Sequence, residues 1–165
     1  MKILVLSDSH SALSFMFRAV RKIKPDAIVH LGDYYDDGEA LAEEFPDIRL
    51  YQVPGNCDRY RAPISARDIL IMPVCGVNLY MTHGHRHNVK FFTSSLLADA
   101  RKAKVDAVLY GHTHIADCYQ ETDGLWVMNP GSAGYHSGSA GIIEADNGKI
   151  RNCCIITAAD LEEMV

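Results

Sequence analysis

Seven residues of this chain have the types and the order needed to hold metal ions, and all of them bear oxygen or imidazole donors. Such donors suit first-row metals such as Mn, Fe, Co, Ni and Zn, and the lack of a thiolate argues against a closed structural zinc site. Two adjacent divalent ions clamp the attacking and leaving oxygens of a displacement at phosphorus. The pattern therefore indicates metal-assisted phosphoester chemistry, and the seven candidate metal ligands are Asp8, His10, Asp33, Asn56, His83, His112 and His114.

The spacing of these residues favours convergence on one site. Three of the seven directly follow a glycine, which allows unusual backbone angles and close approach where a strand ends. Asp8 and His10 are two residues apart, as are His112 and His114. In extended backbone, residues i and i+2 point to the same side. Each pair can therefore direct both of its side chains into one site.

Apolar, β-rich segments precede the candidate ligands and predict the strands that position them. In open α/β sheets the functional crevice lies beyond the carboxyl ends of the strands. Ligands that are far apart in sequence can therefore meet at one end of the sheet. We expect these strands at Ile3–Ser7, Ala27–Leu31, Ile48–Val53, Val77–Thr82 and Ala107–Tyr110.

Helical patterns alternate with these strands, most clearly in the first half of the chain. Pro25 ends the first helix and Pro46 the second. Alternating strands and helices predict a parallel sheet with helices on its faces, in the α/β fold class. The expected helices cover residues 12–23, 37–45 and 89–104.

The second half is richer in hairpin signals. Cys75-Gly76, Asp123-Gly124 and Asn147-Gly148 are typical of tight turns between antiparallel strands. They predict an antiparallel layer beside the parallel one. Further strands are expected at 69–72, 116–121, 125–128, 140–145 and 149–156, and a short helix at 158–165 with Leu161, Met164 and Val165 on one side.

Composition favours a single domain over residues 1–165 and argues against several classes of function. The net charge is -5 without a cluster of Lys and Arg, which disfavours a nucleic-acid platform. The five cysteines are odd in number and lack C-x-x-C spacing, which fits a reducing compartment. No segment approaches the ~20 apolar residues of a membrane span. We therefore predict a cytoplasmic protein without a membrane partner.

The same motifs, in this order, resemble the calcineurin-like metallophosphoesterase superfamily. The similarity runs from Met1 to about Ile156, and the short length and the Asn129-Pro130-Gly131-Ser132 turn resemble its small bacterial and archaeal phosphodiesterase branch. The resemblance implies a four-layer α/β/β/α sandwich of two mixed sheets. The motifs that carry it are Asp8-Ser9-His10, Gly32-Asp33, Gly55-Asn56, His83-Gly84-His85 and Gly111-His112-Thr113-His114.

For the site, the resemblance implies two divalent metal ions, with Mn as first choice and Ni, Fe, Co or Zn as alternatives. A hydroxide bridging the metals would attack the phosphorus of a small phosphodiester. A phosphomonoester substrate is the alternative. One metal would be held by Asp8, His10, Asp33 and His114, and the second by Asp33, Asn56, His83 and His112, with Asp33 bridging.

Two further residues are candidates for a catalytic role beside the metals. Many superfamily members have a histidine after the asparagine ligand, thought to protonate the leaving group, but Cys57 stands in that place here. We hypothesise that leaving-group protonation is weak, so aryl diesters are the best substrates; alternatively, Cys57 only forms a wall of the pocket. His85 follows His83 by two residues and is expected either to reach a substrate oxygen or to be an ordinary loop histidine.

Other polar residues near these motifs have structural or open roles. His30 lies within a predicted strand and is expected to be a hydrogen-bonded core histidine. Asp36 and Asp37 are expected to begin a helix, where negative charge is favourable. Arg86 can pair with phosphate or remain in solvent, and His136 can form part of the pocket rim.

Two rival functions remain at the level of sequence. The fold also resembles that of a eukaryotic membrane-coat subunit that acts mainly as a protein-interaction scaffold, a role associated with losses in the metal-ligand set. A nuclease for long nucleic acid is disfavoured by the acidic charge. The apolar tail is expected to bury against the core or against a second subunit, in a homodimer or homotetramer.

Overall fold

The computed structural model describes residues 1–164 and contains two five-stranded sheets with helices on their outer faces. The first sheet has the strand order β10-β9-β1-β2-β3 and the second has the order β4-β5-β6-β8-β7. The strands are β1 Lys2–Leu6, β2 Ala27–His30, β3 Arg49–Gln52, β4 Ile69–Val74, β5 Val77–Thr82, β6 Ala107–Leu109, β7 Asp117–Gln120, β8 Trp126–Asn129, β9 Ser139–Asp146 and β10 Lys149–Thr157. The helices are α1 Leu13–Ile23, α2 Tyr35–Glu44, α3 Ser94–Ala103 and α4 Ala158–Glu163, with a 3₁₀ turn at His85–His87.

Both sheets mix parallel and antiparallel pairing. The first sheet is parallel through β1, β2 and β3, and β9 and β10 extend it in antiparallel fashion. The second is parallel through β5, β6 and β8, with β4 and β7 antiparallel at its two edges. The hairpins predicted at the three turn signals are thereby confirmed.

Alternating side chains along the strands build four layers. In β1, Ile3 and Val5 face the core between the two sheets, whereas Leu4 and Leu6 pack in the same cluster as α1. In β5, Tyr80 likewise packs in the cluster that contains α3. Each fully buried aliphatic side chain contributes about 1.5–3 kcal/mol, so both faces of each sheet are held by helix or by the other sheet. The predicted α/β/β/α sandwich of two mixed sheets is confirmed.

The third helix begins later than expected, at Ser94 rather than at residue 89. The 3₁₀ turn ends at Asn88, whose φ is 54°, and the Phe91 amide donates to the Asn88 carbonyl at 2.9 Å, which closes a further turn instead of starting a helix. Phe91 and Phe92 are 77% and 74% exposed. The predicted start at 89 was wrong because the residues before Ser94 form turns rather than a packed helical face.

The C-terminal helix α4 packs on its own chain. It begins with a capping box in which Thr157 and Asp160 exchange hydrogen bonds. Leu161 is fully buried in the cluster that contains α1, and Met164 packs at its edge. Val165 lies outside the described residues. Among residues 1–164, no helix is long and apolar enough to cross a lipid bilayer.

Candidate metal centre

The candidate ligands lie in the loops that follow β1, β2, β3, β5 and β6. Tight turns hold five of the seven with left-handed backbone, at φ 52° for Asp8, 44° for His10, 58° for Asp33, 69° for His112 and 61° for His114. This region is uncommon for residues other than glycine, and such conformations cluster where function requires them. The backbone itself therefore indicates a functional site at these strand ends.

Two glycines allow the loops after β2 and β3 to touch. Gly32 has φ 97°, and a Cβ atom built on it would lie 2.4 Å from the Gly55 nitrogen. A Cβ atom on Gly55 would lie 2.1 Å from Asp33 Oδ1. Neither distance is sterically allowed, so glycine is required immediately before both Asp33 and Asn56.

A first group of side chains comprises Asp8, His10, Asp33 and His114, whose ligand atoms all lie within 4.8 Å of one another. A neighbouring hydroxyl at 2.5 Å and the His112 amide at 3.0 Å donate hydrogen bonds to Asp8 Oδ2. Asp8 Oδ1 instead lies 3.0 Å from His114 Nε2. Within residues 1–164, Asp8 Oδ1 and His10 Nε2 are buried without a hydrogen-bond partner. Since an unsatisfied buried polar group costs about 1–3 kcal/mol, these atoms fit a bound cation.

Asp33 also faces a second group, which it forms with Asn56, His83 and His112. His83 Nδ1 donates to the Leu31 carbonyl at 2.8 Å, which leaves a lone pair on Nε2 of the neutral ring. That Nε2 lies 3.1 Å from Asn56 Oδ1 and 3.6 Å from Asp33 Oδ1. The His112 ring centroid is 5.0 Å from that of His83. Electron-pair donors thus face one another, an arrangement that a divalent cation would stabilise.

The protonation states of these groups suit metal binding. Burial and the neighbouring His83 lower the pKa of His112 to about 4, so its imidazole is neutral at pH 7. Burial opposes ionisation of Asp33, but His83 and the Cys57 amide outweigh it and lower the pKa of the Asp33 carboxyl. Metal ligands must be neutral imidazoles and ionised carboxylates. The pKa values of His112 and Asp33 therefore favour the protonation states in which these side chains bind a metal.

Asp58 ties two of the ligand loops together. Its Oδ1 accepts hydrogen bonds from the amides of Tyr34 and Tyr35, each at 2.8 Å, and its Oδ2 accepts from those of Asp33 at 2.9 Å and Gly55 at 2.7 Å. Asp58 is only 1% exposed, and bonds from amides to a carboxylate are among the stronger ones in proteins. The sequence analysis did not mark this residue; spacing could have indicated only its contact with the Gly55 amide three residues earlier, because the other three amides come from a distant loop.

Cys57 and His85 lie beside the second group. The Cys57 amide donates to Asp33 Oδ1 at 2.9 Å. Partial burial and the Asp33 carboxylate raise the pKa of the Cys57 thiol to about 11. The His85 ring centroid is 5.4 Å from that of His83, and burial together with His83 lowers the pKa of His85. A catalytic role for either residue stays a prediction.

His30 is fully buried, which confirms its predicted place in the core. Its Nε2 lies 3.1 Å from the hydroxyl of Ser9, which stands between the two candidate ligands after β1. Burial lowers the pKa of His30 to about 4, so a neutral ring supports this loop. Asp36 and Asp37 lie in the first turn of α2, as expected, and Asp37 accepts a hydrogen bond from the Ser11 amide at 2.7 Å.

The remaining candidates lie at the rim. Arg86 is 66% exposed at its side chain and lies 2.8 Å from an aspartate, which matches the solvent-exposed alternative. His136 is exposed and has a left-handed φ of 50°. Its neighbour Tyr135, which the sequence did not mark, stacks on the His114 ring at 4.9 Å between centroids. The aromatic ring thus restrains a candidate ligand from the solvent side.

The chain is an α/β protein with two mixed sheets. Carboxylate, amide and imidazole groups lie together at the ends of its strands, and such groups can bind divalent metals. The chain belongs to the calcineurin-like phosphoesterase superfamily, whose domain model matches residues 1–148. A probable metallophosphoesterase of Mycoplasma pneumoniae is 29% identical over 134 residues, covering 79% of this chain and 78% of that protein. A phosphodiesterase of Methanocaldococcus jannaschii is 25% identical over 170 residues, covering 92% and 97%. These relatives support assignment as a hydrolase.

Solved structures share the fold at lower identity. A predicted phosphoesterase of Streptococcus pneumoniae superposes with a TM-score of 0.76 at 23% identity, covering 96% of this chain and 90% of that one. Vacuolar protein sorting 29 of Cryptosporidium parvum superposes with a TM-score of 0.72 at 15% identity, covering 94% and 97%. The second protein is named for protein sorting rather than for ester hydrolysis, so the fold alone does not decide between enzyme and scaffold.

Proposed function

We propose that this protein is a metal-dependent phosphodiesterase that hydrolyses small phosphodiesters at a dinuclear site, with Mn²⁺ as the first choice of metal. The observation that carries the proposal is the meeting of the seven candidate ligands in two adjoining groups that share Asp33, with Asp8 Oδ1 and His10 Nε2 buried without a hydrogen-bond partner among residues 1–164. Asp33 would be a ligand of both metals, because its Oδ2 faces His10 of the first group and its Oδ1 faces His83 of the second group. The archaeal relative named a phosphodiesterase supports the choice of diester.

The chain's own residues bind and orient the reacting groups. When bound, two divalent ions supply Lewis acidity for the phosphoryl oxygens and lower the pKa of a water molecule. Asp8 and Asp33 are the two carboxylates in the proposed ligand set, and its other five members are one amide and four imidazoles, which add no charge when they bind a metal. A phosphate ester therefore meets a net positive charge in the loaded site, although the protein as a whole carries -5.

Leaving-group protonation is the step for which this chain is least equipped. The raised pKa of Cys57 makes its thiol a poor acid, and the lowered pKa of His85 leaves its ring neutral at pH 7. Efficient general acids have pKa values near the working pH. We therefore propose that esters with good leaving groups, such as aryl diesters, are hydrolysed best.

Replacing Cys57 by histidine should extend activity to poor leaving groups. General acid catalysis contributes about 10²–10⁴-fold, so we expect Cys57→His to raise kcat/KM for an alkyl-leaving diester by roughly tenfold or more. The gain for bis-p-nitrophenyl phosphate, whose leaving group needs no proton, should be small. Cys57→Ser serves as the matched control, and an equal change for both esters would contradict the role assigned to this position.

Two alternative functions remain. A phosphomonoesterase would use the same ligand set. A non-catalytic scaffold is favoured by the likeness to vacuolar protein sorting 29. The complete ligand set argues for the enzyme, because all seven positions carry a group that can bind a divalent metal and five of them have left-handed backbone, which clusters at functional sites.

The test compares bis-p-nitrophenyl phosphate with p-nitrophenyl phosphate in the presence of Mn²⁺, Ni²⁺ or a chelator. The proposal predicts metal-dependent hydrolysis of the diester in preference to the monoester. Preference for the monoester would support the phosphomonoesterase. Failure to hydrolyse either ester with any metal would support the scaffold.

A further inference from the structure

A cavity beside the second ligand group is not accounted for by the metal centre. Its volume is about 280 Å³, which lies at the small end of ligand pockets, about 300–1,000 Å³. Asn56 and His85 line it, so it is continuous with the proposed metal centre. We call it the Arg59 cavity; Asn56, Arg59, Pro63, Ile64, His85 and Arg86 are among its lining residues.

The Arg59 cavity is lined by two aspartates and two arginines, so its formal charges cancel, but its two arginines differ in their pairing. Arg86 is paired with Asp68 at 2.8 Å. Asp58 also lines the cavity, but both of its carboxylate oxygens accept hydrogen bonds from loop amides. In the part of the chain that the structure describes, Arg59 forms no ion pair, and its guanidinium rests 5.4 Å from the Tyr60 ring centroid. An exposed cation therefore stands next to the site proposed for the phosphoryl group.

The remaining wall of the Arg59 cavity is apolar. Pro63 and Ile64 line it, and Ile64 is fully exposed. The loop after β8 offers no competing cation, because the sequence has no lysine or arginine between Asn129 and Ala145. A cavity that combines an apolar wall with an arginine fits an aliphatic spacer with a negative group at its end.

We propose that the Arg59 cavity binds a second anionic group, a carboxylate or a phosphate, carried by one ester substituent of the substrate. Arginine is suited to this role because its planar guanidinium pairs with both anions in two-point contact. The inference rests on the proposed function, since it requires a phosphodiester at the neighbouring metal centre. It narrows the substrate class to small diesters with a charged substituent.

The test uses matched 4-nitrophenyl diesters whose second substituent is butyl, 3-carboxypropyl or 3-phosphonopropyl, with release of 4-nitrophenolate as the readout. Wild type should favour the charged esters in kcat/KM by roughly three- to fivefold, the size expected of an exposed ion pair. The carboxylate and phosphonate arms show which anion is preferred. Arg59→Gln should remove the preference, and Arg59→Lys should retain it.

Arg67→Gln is the matched control, because Arg67 is exposed, lies in the same loop and does not line the cavity. It should leave the preference unchanged. Equal kcat/KM for charged and neutral esters in wild type, or an unchanged preference in Arg59→Gln, would overturn the inference while hydrolysis of the butyl ester upholds the proposed function. Failure to hydrolyse all three esters and bis-p-nitrophenyl phosphate would overturn both.

Discussion

Replacing Asp33 by asparagine should abolish phosphodiester hydrolysis and leave the fold intact. Asp33 belongs to both ligand groups, and asparagine keeps an oxygen for the hydrogen bond from the Cys57 amide. Changes to the outer-shell partners of metal ligands cost roughly 10–100-fold. Loss of a carboxylate shared by two metals should therefore reduce kcat/KM for bis-p-nitrophenyl phosphate by about a thousandfold or more.

The stability of the metal-free Asp33→Asn protein separates a lost ligand from a lost fold. Because the pKa of the Asp33 carboxyl is lowered in the fold, its charge contributes stability at pH 7, so the metal-free variant should have a somewhat lower free energy of unfolding than metal-free wild type and should still unfold cooperatively. Asp36→Asn is the control, because Asp36 is exposed and paired with Arg61 at the surface. An active Asp33→Asn protein would contradict a shared ligand at this position.

Replacing Asp58 by alanine should produce the largest loss of stability among the loop aspartates. The change removes the acceptor of four amide hydrogen bonds from a residue that is 1% exposed. Leaving those four amides without a hydrogen-bond acceptor should lower the free energy of unfolding by about 3–5 kcal/mol. Urea denaturation of the metal-free protein measures this loss directly.

Metal binding should weaken with the same change, because Asp58 fixes the backbone on which Asp33 is presented. Asp58→Asn keeps one side-chain oxygen and should fall between wild type and Asp58→Ala in both stability and metal affinity. Asp36→Ala should cost less than about 1 kcal/mol, as exposed ion pairs do. A loss of similar size in Asp36→Ala and Asp58→Ala would show that the four amide bonds contribute little.

The sequence was sufficient to predict the fold and the position of the candidate ligands at the strand ends. The extended backbone expected for the Asp8/His10 and His112/His114 pairs was wrong, because all four residues have left-handed φ. Apolar, β-rich segments marked β1, β2 and β5, and the carboxyl ends of parallel strands lie at one crevice. The ligands after those strands could therefore be expected at one site, and only the family resemblance implied their division into two groups. The start of α3 could not be placed, because Phe91 and Phe92 continue an apolar pattern although they face solvent.

Residues that act through long-range contacts could not be found from sequence. Asp58 looks like any loop acid until Tyr34, Tyr35 and Asp33 present their amides to it. The role proposed for Arg59 likewise depends on contacts that the sequence does not show, since Arg61 pairs with Asp36 and Arg86 pairs with Asp68. Such roles depend on which partners the fold brings together, and the spacing of residues along the chain does not record that.

The measurement that tests the central claim most directly is a titration of Mn²⁺ into chelator-stripped protein, with bound metal and bis-p-nitrophenyl phosphate hydrolysis followed in the same sample. The two ligand groups predict two bound ions per chain, with full activity reached only when both groups are filled. Saturation at one ion per chain with full activity would contradict the dinuclear site. Two bound ions without hydrolysis would contradict the enzyme and favour a metal-binding scaffold.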